Sequence, residues 1–277
     1  MNTSVISFAR VSLFSLLLLL VGCDEQRKII EPFVPSGNRV VLLEEFTGKG
    51  CTNCPKGSRE IDNLLVQYPN NLVVVSIHAG FFANPEFFPL GTYDLRCDQS
   101  AFLYEYLGPN FGYPAGVVDR AFFGPDLQIG LQQWASAISS EIQDAPSIEL
   151  EIERTYNPET RELTVSINGI GKEVESGDVR LSVMLTETGI VDAQDDLEAG
   201  GIVDDYVHKH VLRDMLTQAA GETLFQDISV GKTFSRVYTT IVDSDWVAES
   251  MEIVAFISLV NGSDFPVLQA ASAHMME

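Results

Sequence analysis

The sequence predicts an α/β domain followed by an all-β sandwich, and three observations lead to that expectation. Two short apolar runs, Arg39 to Phe46 and Leu72 to Ile77, flank a helical pattern that opens at a Cys-x-x-Cys. This is βαβ order. Beyond Pro146 the period changes to two, with Ile148, Leu150 and Ile152 set between Glu149, Glu151 and Glu153, the pattern of a strand with one wet face. At 277 residues the chain is also about twice the ~150 of one domain. The expected division is a leader over 1–22, a tether over 23–38, the α/β domain over 39–145 and the sandwich over 146–277.

Arg10 is the only charged residue before Asp24, and it precedes an apolar run from Val11 to Val21. About 11 apolar residues are too few for a spanning helix of ~20 and suit a secretory leader. Leu20, Val21, Gly22 and Cys23 then resemble the lipobox of bacterial lipoproteins. That resemblance implies cleavage before Cys23 and acylation of Cys23, with several acyl chains giving firm anchoring. Asp24 and Glu25 partly match a cell-surface export signal, so a periplasmic and a surface face are both open. Pro32, Pro35, Ser36 and Gly37 mark the tether.

In the α/β part, the strand ending at Phe46 runs into Thr47-Gly48-Lys49-Gly50-Cys51-Thr52-Asn53-Cys54-Pro55, and Ile61, Leu64, Leu65 and Tyr68 continue at helical spacing. Residues 79–95, rich in Phe, Pro and Gly, read as an insertion. A helical stretch follows from Ala101 to Leu107, then a strand opened by Gly112-Tyr113-Pro114, then an amphipathic helix from Leu127 to Ile142.

A cysteine at a helix N-terminus faces unpaired N–H groups and the positive end of the helix dipole, which favour thiolate below the free pKa of ~8.5. Cys51 is therefore the candidate nucleophile, and Cys54, one turn further in, is placed to resolve a mixed disulfide. Lys49 adds positive charge. Glu45 opposes thiolate formation if buried but can accept the proton of Cys54. Two other readings stay open: half a zinc site completed by Cys97 and His78, and a closed structural disulfide kept by an oxidising compartment.

This stretch, residues 39–143, resembles the thioredoxin superfamily. The resemblance implies a cis-proline beside the disulfide, at Pro114, and a buried proton-relaying acid, at Glu45. It also makes Tyr113, Gly50, Thr52 and Asn53 the candidate substrate-contacting positions. The chain departs from thioredoxin at Gly50, where an aromatic residue is usual, and at Thr52-Asn53, where Gly-Pro is usual.

In the second half, Asn157-Pro158-Glu159-Thr160 is turn chemistry. Strands are expected from Leu163, over Val179–Leu185, Tyr206–Leu212, Thr233–Val242, Met251–Leu259 and Val267–Ala273. Seven short strands in about 130 residues fit an immunoglobulin-like sandwich. Asp192, Asp195, Asp196, Glu198, Asp204 and Asp205 crowd one expected loop, either solvated or a calcium site, although no known calcium-loop spacing is present. Tyr206, His208 and His210 are expected on one strand face, where two histidines could share a metal or simply line a polar sheet. No metal site is assigned.

Lys and Arg number 17 against 39 Asp and Glu, a net charge of −22, which repels phosphate backbones and excludes nucleic acid as a partner. The four cysteines are too few for a disulfide framework. A lipobox, Glu44-Glu45-Phe46-Thr47-Gly48 leading into the Cys51–Pro55 motif, Gly112-Tyr113-Pro114, the segment 206–213 (YVHKHVLR), and Ile253-Val254-Ala255-Phe256 ahead of Val267-Leu268-Gln269-Ala270 together resemble the 28-kDa outer-membrane protein family. Taken together, the expectation is a lipoprotein of the outer membrane. Its thioredoxin-like domain would exchange disulfides with cell-envelope proteins through Cys51 and Cys54, and an immunoglobulin-like sandwich would follow. The lipid on Cys23 and the Cys51/Cys54 pair would be its only covalent equipment, with no cofactor. The competing expectation is a non-catalytic binding module with an inert disulfide.

Overall fold

The computed structural model describes residues 39–108 and 112–276; the leader, Cys23 and the tether lie outside them. In chain order the elements are β1 (Val41–Thr47), α1 (Cys54–Gln67), β2 (Leu72–His78), the single turn α2 (Gly80–Ala83), α3 (Asp98–Tyr106), β3 (Ala115–Val118), β4 (Ile129–Gly130) and α4 (Trp134–Glu141). There follow β5 (Ile148–Asn157), β6 (Glu162–Gly171), β7 (Glu175–Glu187), β8 (Ile190–Asp196), β9 (Gly201–His208), β10 (Val211–Met215), β11 (Glu222–Ile228), β12 (Thr233–Ile241), β13 (Met251–Val260) and β14 (Val267–His274).

The order β1-α1-β2 stands as read, with β1 and β2 parallel in unbroken register from Val41↔Leu72 to Thr47↔His78. β1 is buried at every position, so its two parities serve two cores. Val41 and Leu43 pack with Ile61 and Leu64 of α1 and with Trp134 and Ile138 of α4. Leu42 and Phe46 pack on the other face with Leu103 of α3. β3 runs antiparallel beside β1.

The predicted fold class does not hold. Strand (47%) far outweighs helix (17%), and the sheet of the first half does not close on itself. It continues as β14-β13-β7-β10-β2-β1-β3-β4, with β11 also on β7, a nine-stranded mixed sheet drawn from both halves of the sequence. The join is narrow: Val211 of β10 pairs in parallel with Ser76 of β2, and the Ser76 N–H donates to the His210 carbonyl at 2.7 Å. An α/β thioredoxin-like domain and a separate immunoglobulin-like sandwich are thus replaced by one shared sheet. Only three strands, β12-β6-β5, form a second layer. They bury Leu163, Val165 and Ile167 against Val179, Leu181 and Val183 of β7 and Ile253, Ala255 and Ile257 of β13. The opposite parity of the same strands, Met184, Val254 and Phe256, enters the core shared with β1 and β2. A strand buried on both faces needs apolar residues at successive positions, which Ile253–Ile257 supplies at the centre of β13.

Three element boundaries also move. The helix expected over 127–142 starts only at Trp134, because β4 and a 3-10 turn take up the residues before it. The strand expected over 206–212 is two strands, broken at His210, whose φ of 54° lies in the left-handed region. The acidic stretch 192–205 is no loop but the hairpin β8–β9.

Because β2 relies on β10 for its second edge, a chain comprising residues 39–145 alone leaves that edge open and strips Met184, Val254 and Phe256 from the core that holds Leu42 and Phe46. It is expected to lack a cooperative thermal transition by circular dichroism, whereas residues 39–276 should unfold in one; a cooperative transition of the short chain would contradict this.

Candidate functional site

Cys51 and Cys54 form a disulfide with Cα atoms 5.4 Å apart. α1 begins at Cys54, with Pro55 in its first turn, where a missing N–H costs nothing. The first turn carries no acidic residue and no side-chain cap, so no side-chain charge of its own offsets the positive end of the dipole beside the disulfide, although the Cys54 and Lys56 N–H groups donate to the Cys51 and Asn53 carbonyls. Asn53 precedes the helix and is exposed; Thr52 is half-buried. Both sulfur-bearing residues are buried, Cys51 to 3% exposure and Cys54 to 2%.

Two segments cover them. The 79–95 segment lies against the loop: the Gly50 N–H donates to the Phe82 carbonyl at 2.9 Å, and a Cβ at Gly50 would fall 2.1 Å from Phe88 Cγ. Phe88 thus stands where the thioredoxin resemblance leads one to expect an aromatic at position 50. Phe88 belongs to an aromatic group with Phe81 (5.2 Å) and Phe82 (5.7 Å), and Phe82 reaches Tyr113 (5.5 Å).

The second cover is the β8–β9 hairpin. Gln194 Nε2 donates to the Cys51 carbonyl at 3.0 Å, the Asp195 N–H to the Lys49 carbonyl at 2.9 Å, and the Leu197 N–H to the Thr52 carbonyl at 3.0 Å. Lys49 Nζ pairs with Asp192 Oδ2 at 2.9 Å, and Arg59 of α1 reaches Asp196 and Glu198. The expected acid-rich loop is therefore a clamp whose carboxylates meet cations from the disulfide loop and α1. Burial pushes the Asp192 carboxyl up, but Lys49 and the Tyr93 and Thr92 N–H groups outweigh it and hold it below its ordinary value. Among the described residues no cluster of three or more His, Cys, Asp or Glu could hold a metal ion, and Cys97 is a free thiol. The partners that zinc or calcium would need are engaged elsewhere: Cys51 with Cys54, Asp192 with Lys49.

Glu45 lies behind the disulfide, 2% exposed. Its Oε2 accepts from Ser76 Oγ at 2.8 Å, and its buried Oε1 has no hydrogen-bond partner. Burial raises its pKa to about 7, against which the Ser76 bond acts only weakly. A Cβ on Gly57 would stand 2.8 Å from Glu45 Oε1 and 3.0 Å from Pro114 Cβ, so Glu45, α1 and Pro114 converge on one point. The Tyr113–Pro114 peptide is cis, and the Tyr113 hydroxyl donates to the Ala79 carbonyl at 2.7 Å. Beside them a groove of about 440 Å³ is lined by Asn53, Lys56, Tyr113, Pro114, Leu131 and Gln132.

A small cavity of about 20 Å³ joins Cys54 and Glu45 to His78, Gln194, Tyr206 and His208. His78 and His208 meet edge to face at 5.5 Å, and burial is the main cause holding both below the ordinary histidine value, His208 at about 4. His210 is displaced from this group by the turn it forms. Of the candidate residues, the structure brings together Cys51, Cys54, Glu45, Pro114, Tyr113 and Asn53. Sequence reasoning missed Phe88, Gln194 and the hairpin. The one signal for the last was charge: Lys49, Lys56 and Arg59 cluster in an acid-rich chain, opposite the densest acids.

The model of the outer membrane protein Omp28 family matches residues 101–276. The chain belongs to this family. The match takes in Tyr113, Pro114 and the hairpin clamp; the Cys51–Cys54 motif and Glu45 precede it. The Omp28 chain is also similar in fold to solved structures. HBP35 of Porphyromonas gingivalis is 18% identical and superposes with a TM-score of 0.67, over 87% of this chain and 77% of that one. A structural-genomics protein from Agrobacterium tumefaciens is 12% identical with a TM-score of 0.54, over 86% and 96%. No curated protein sequence matches. At these identities the likeness concerns the fold alone.

The position of Glu45 makes a pH prediction for this Omp28 chain. Its folded pKa lies above its unfolded one, so the folded state holds the proton more tightly. The resulting stability is complete below pH ~4.5 and is lost as pH rises through about 7. Replacing the carboxyl removes that loss. Glu45→Gln is expected to be more stable than wild type above pH 8, by up to about 3 kcal/mol, and to converge with it near pH 5, measured by urea unfolding. Parallel pH profiles of the two proteins would refute the assignment.

Proposed function

We propose that this outer-membrane family member exchanges disulfides with cell-envelope proteins through Cys51 and Cys54, and that it is held at the membrane by acyl chains on Cys23. The observation that carries the redox reading is Glu45: a buried carboxyl with one unpartnered oxygen, near neutral pKa, sharing a cavity with Cys54. A structural disulfide has no use for such a group, whose burial costs stability above neutral pH. A resolving cysteine does, because its thiol must lose a proton to attack.

In the reaction, the Cys51 thiolate, favoured by the N-terminus of α1, attacks one sulfur of a partner disulfide and expels the other as thiolate. Glu45 takes the proton of Cys54. The Cys54 thiolate then attacks Cys51 Sγ, closing the internal disulfide and releasing the second partner thiol. The partner gains two electrons and the Cys51/Cys54 pair loses two; the reverse sequence oxidises a partner dithiol. Asn53, Tyr113 and Pro114 border the groove in which an extended partner segment would lie. The acylation of Cys23 rests on the lipobox resemblance at Leu20–Cys23.

The second reading is an inert disulfide in a binding module, and burial of both cysteines beneath the hairpin favours it. Mixed-disulfide trapping separates the two. Cys54→Ser, which cannot resolve, is expected to accumulate covalent adducts with envelope proteins, and Cys51→Ser to accumulate none. Equal, background-level adducts in both, with a wild-type pair that resists strong dithiol reductant, would leave the inert module. For the anchor, labelled fatty acid should enter the wild type and not Cys23→Ala; equal incorporation would remove the anchor.

A further inference from the structure

The cavity behind the disulfide contains two polar groups that the reaction above leaves without partners. Of the residues lining it, Glu45 and His208 are the two with a buried polar atom that makes no hydrogen bond, Oε1 and Nε2 respectively. Leaving each alone costs about 1–3 kcal/mol. The volume of about 20 Å³ exceeds the roughly 10–15 Å³ needed to seat one water, and such a water needs 2–4 polar partners. Glu45 and His208 supply two, and Ser58, Tyr206 and Gln194 line the same space.

We propose that His208 holds a single internal water against Glu45, and that this water receives the proton Glu45 takes from Cys54. The inference rests on the redox reading for the use of the proton, but the water site itself does not. Glu45 comes from β1 and His208 from the end of β9, so a residue of the hairpin clamp completes the proton path of a cysteine 154 positions earlier in the chain. His208 acts as a positioning residue.

Its chemistry suits that role. Burial keeps the ring neutral, and a neutral imidazole offers one nitrogen as acceptor. Nε2 therefore accepts one hydrogen of the water, whose oxygen faces the protonated Glu45 and whose second hydrogen returns to the carboxylate once Glu45 has given up its proton. A proton passes from Cys54 Sγ to Glu45, from Glu45 to the water, and onward from the water to bulk solvent; no charge is left on His208. The titratable and charged groups around the pair are Cys54 on α1, His78 on β2, Lys49 before α1, Tyr206 on β9 and Lys209 beyond it, Asp192 on β8, and Arg213 on β10, which pairs with Glu187. Lys49 is neutralised by Asp192 and Lys209 by Asp62, so the local field at Glu45 stays close to balanced.

The test follows the Glu45 carboxyl by carbon-13 NMR titration in the oxidised protein, which needs no redox activity. The carboxylate form loses its solvating water when an apolar side chain replaces the imidazole. His208→Leu is therefore expected to raise the Glu45 midpoint by about one pH unit or more. His208→Gln, which keeps an acceptor in the cavity, should restore most of the shift. Glu45→Gln identifies the resonance. An unchanged midpoint in His208→Leu, in a variant whose thermal transition shows it folded, overturns the proposal; so does an equal rise in His208→Gln. Should His208→Leu not fold, the same comparison is made between His208→Gln and His208→Ala, the latter expected near wild type because a second water can fill the space, and a raised midpoint in both overturns the water site. The redox reading is judged separately, by the resolution rate of a trapped mixed disulfide in the wild type. Where it resolves, His208→Leu is expected to shift the pH profile of that step upward with the Glu45 midpoint.

Discussion

The arrangement around the disulfide hangs on one buried ion pair, Lys49 with Asp192. Both side chains are 5% exposed, and charges that deeply placed are tolerated only when every hydrogen-bonding position is taken. Here they are. Lys49 also donates to the Leu90 and Tyr93 carbonyls, and Asp192 accepts the Thr92 and Tyr93 N–H groups as well. Three segments far apart in sequence, the loop before Cys51, the 79–95 segment and β8, are thereby pinned to one another. Removing one member of such a pair costs about 3–5 kcal/mol, because the other is left charged and dry. The pair is thus weak evidence for stability in itself and strong evidence for a fixed geometry.

That geometry depends in turn on the shared sheet. The hairpin can reach the disulfide loop only because β7 and β10 on either side of it belong to the sheet that also holds β1 and β2. β7 makes this possible by its length: over 13 residues it pairs with β13 along one edge, and with β11 and then β10 along the other. β10 lands beside β2 at Ser76, whose hydroxyl is the hydrogen-bond donor to Glu45. The strand pairing that fuses the two halves and the bond that orients the buried acid therefore meet at one residue. The acidic cluster at 192–198 also becomes intelligible, since Asp192, Asp196 and Glu198 pair with Lys49, Arg59 and Lys56 of the first half.

What could be read from the sequence was what short range determines. The βαβ order and the helix start at the Cys-x-x-Cys are both decided within some thirty residues. The shared sheet is decided by pairings between strands more than a hundred residues apart, such as Val211 with Ser76, and no local pattern states them. One trace of it was present: Ile253, Val254, Ala255, Phe256 and Ile257 are apolar at both parities, whereas a sandwich strand with a wet face needs only one. The hairpin was illegible for a different reason. Aspartate is a poor strand former, and β8 and β9 carry five between them; they form strands because distant cations and backbone carbonyls complete them. Gly50 was the opposite case, a departure noticed in the motif whose compensation, Phe88, lies 38 residues further along.

The covered disulfide and the uncompensated helix N-terminus impose conflicting demands, and the structure reconciles them by direction. Hairpin and Phe88 close the loop from two sides, excluding water and strengthening the action of the α1 dipole on Cys51. The remaining side, toward Asn53, Tyr113 and Pro114, opens on a groove large enough for a few residues of extended chain. In the exchange proposed above, a partner sulfur would approach the disulfide loop from this side, past Asn53. Under the proposed exchange, partner thiolates would leave on the groove side, whereas the proton of Cys54 would pass to the other face, where Cys54, Glu45 and His208 line one cavity. The two steps would then not compete for one opening, because the hairpin that covers the Cys51 carbonyl through Gln194 also lines the cavity beside Cys54 through Gln194, Tyr206 and His208.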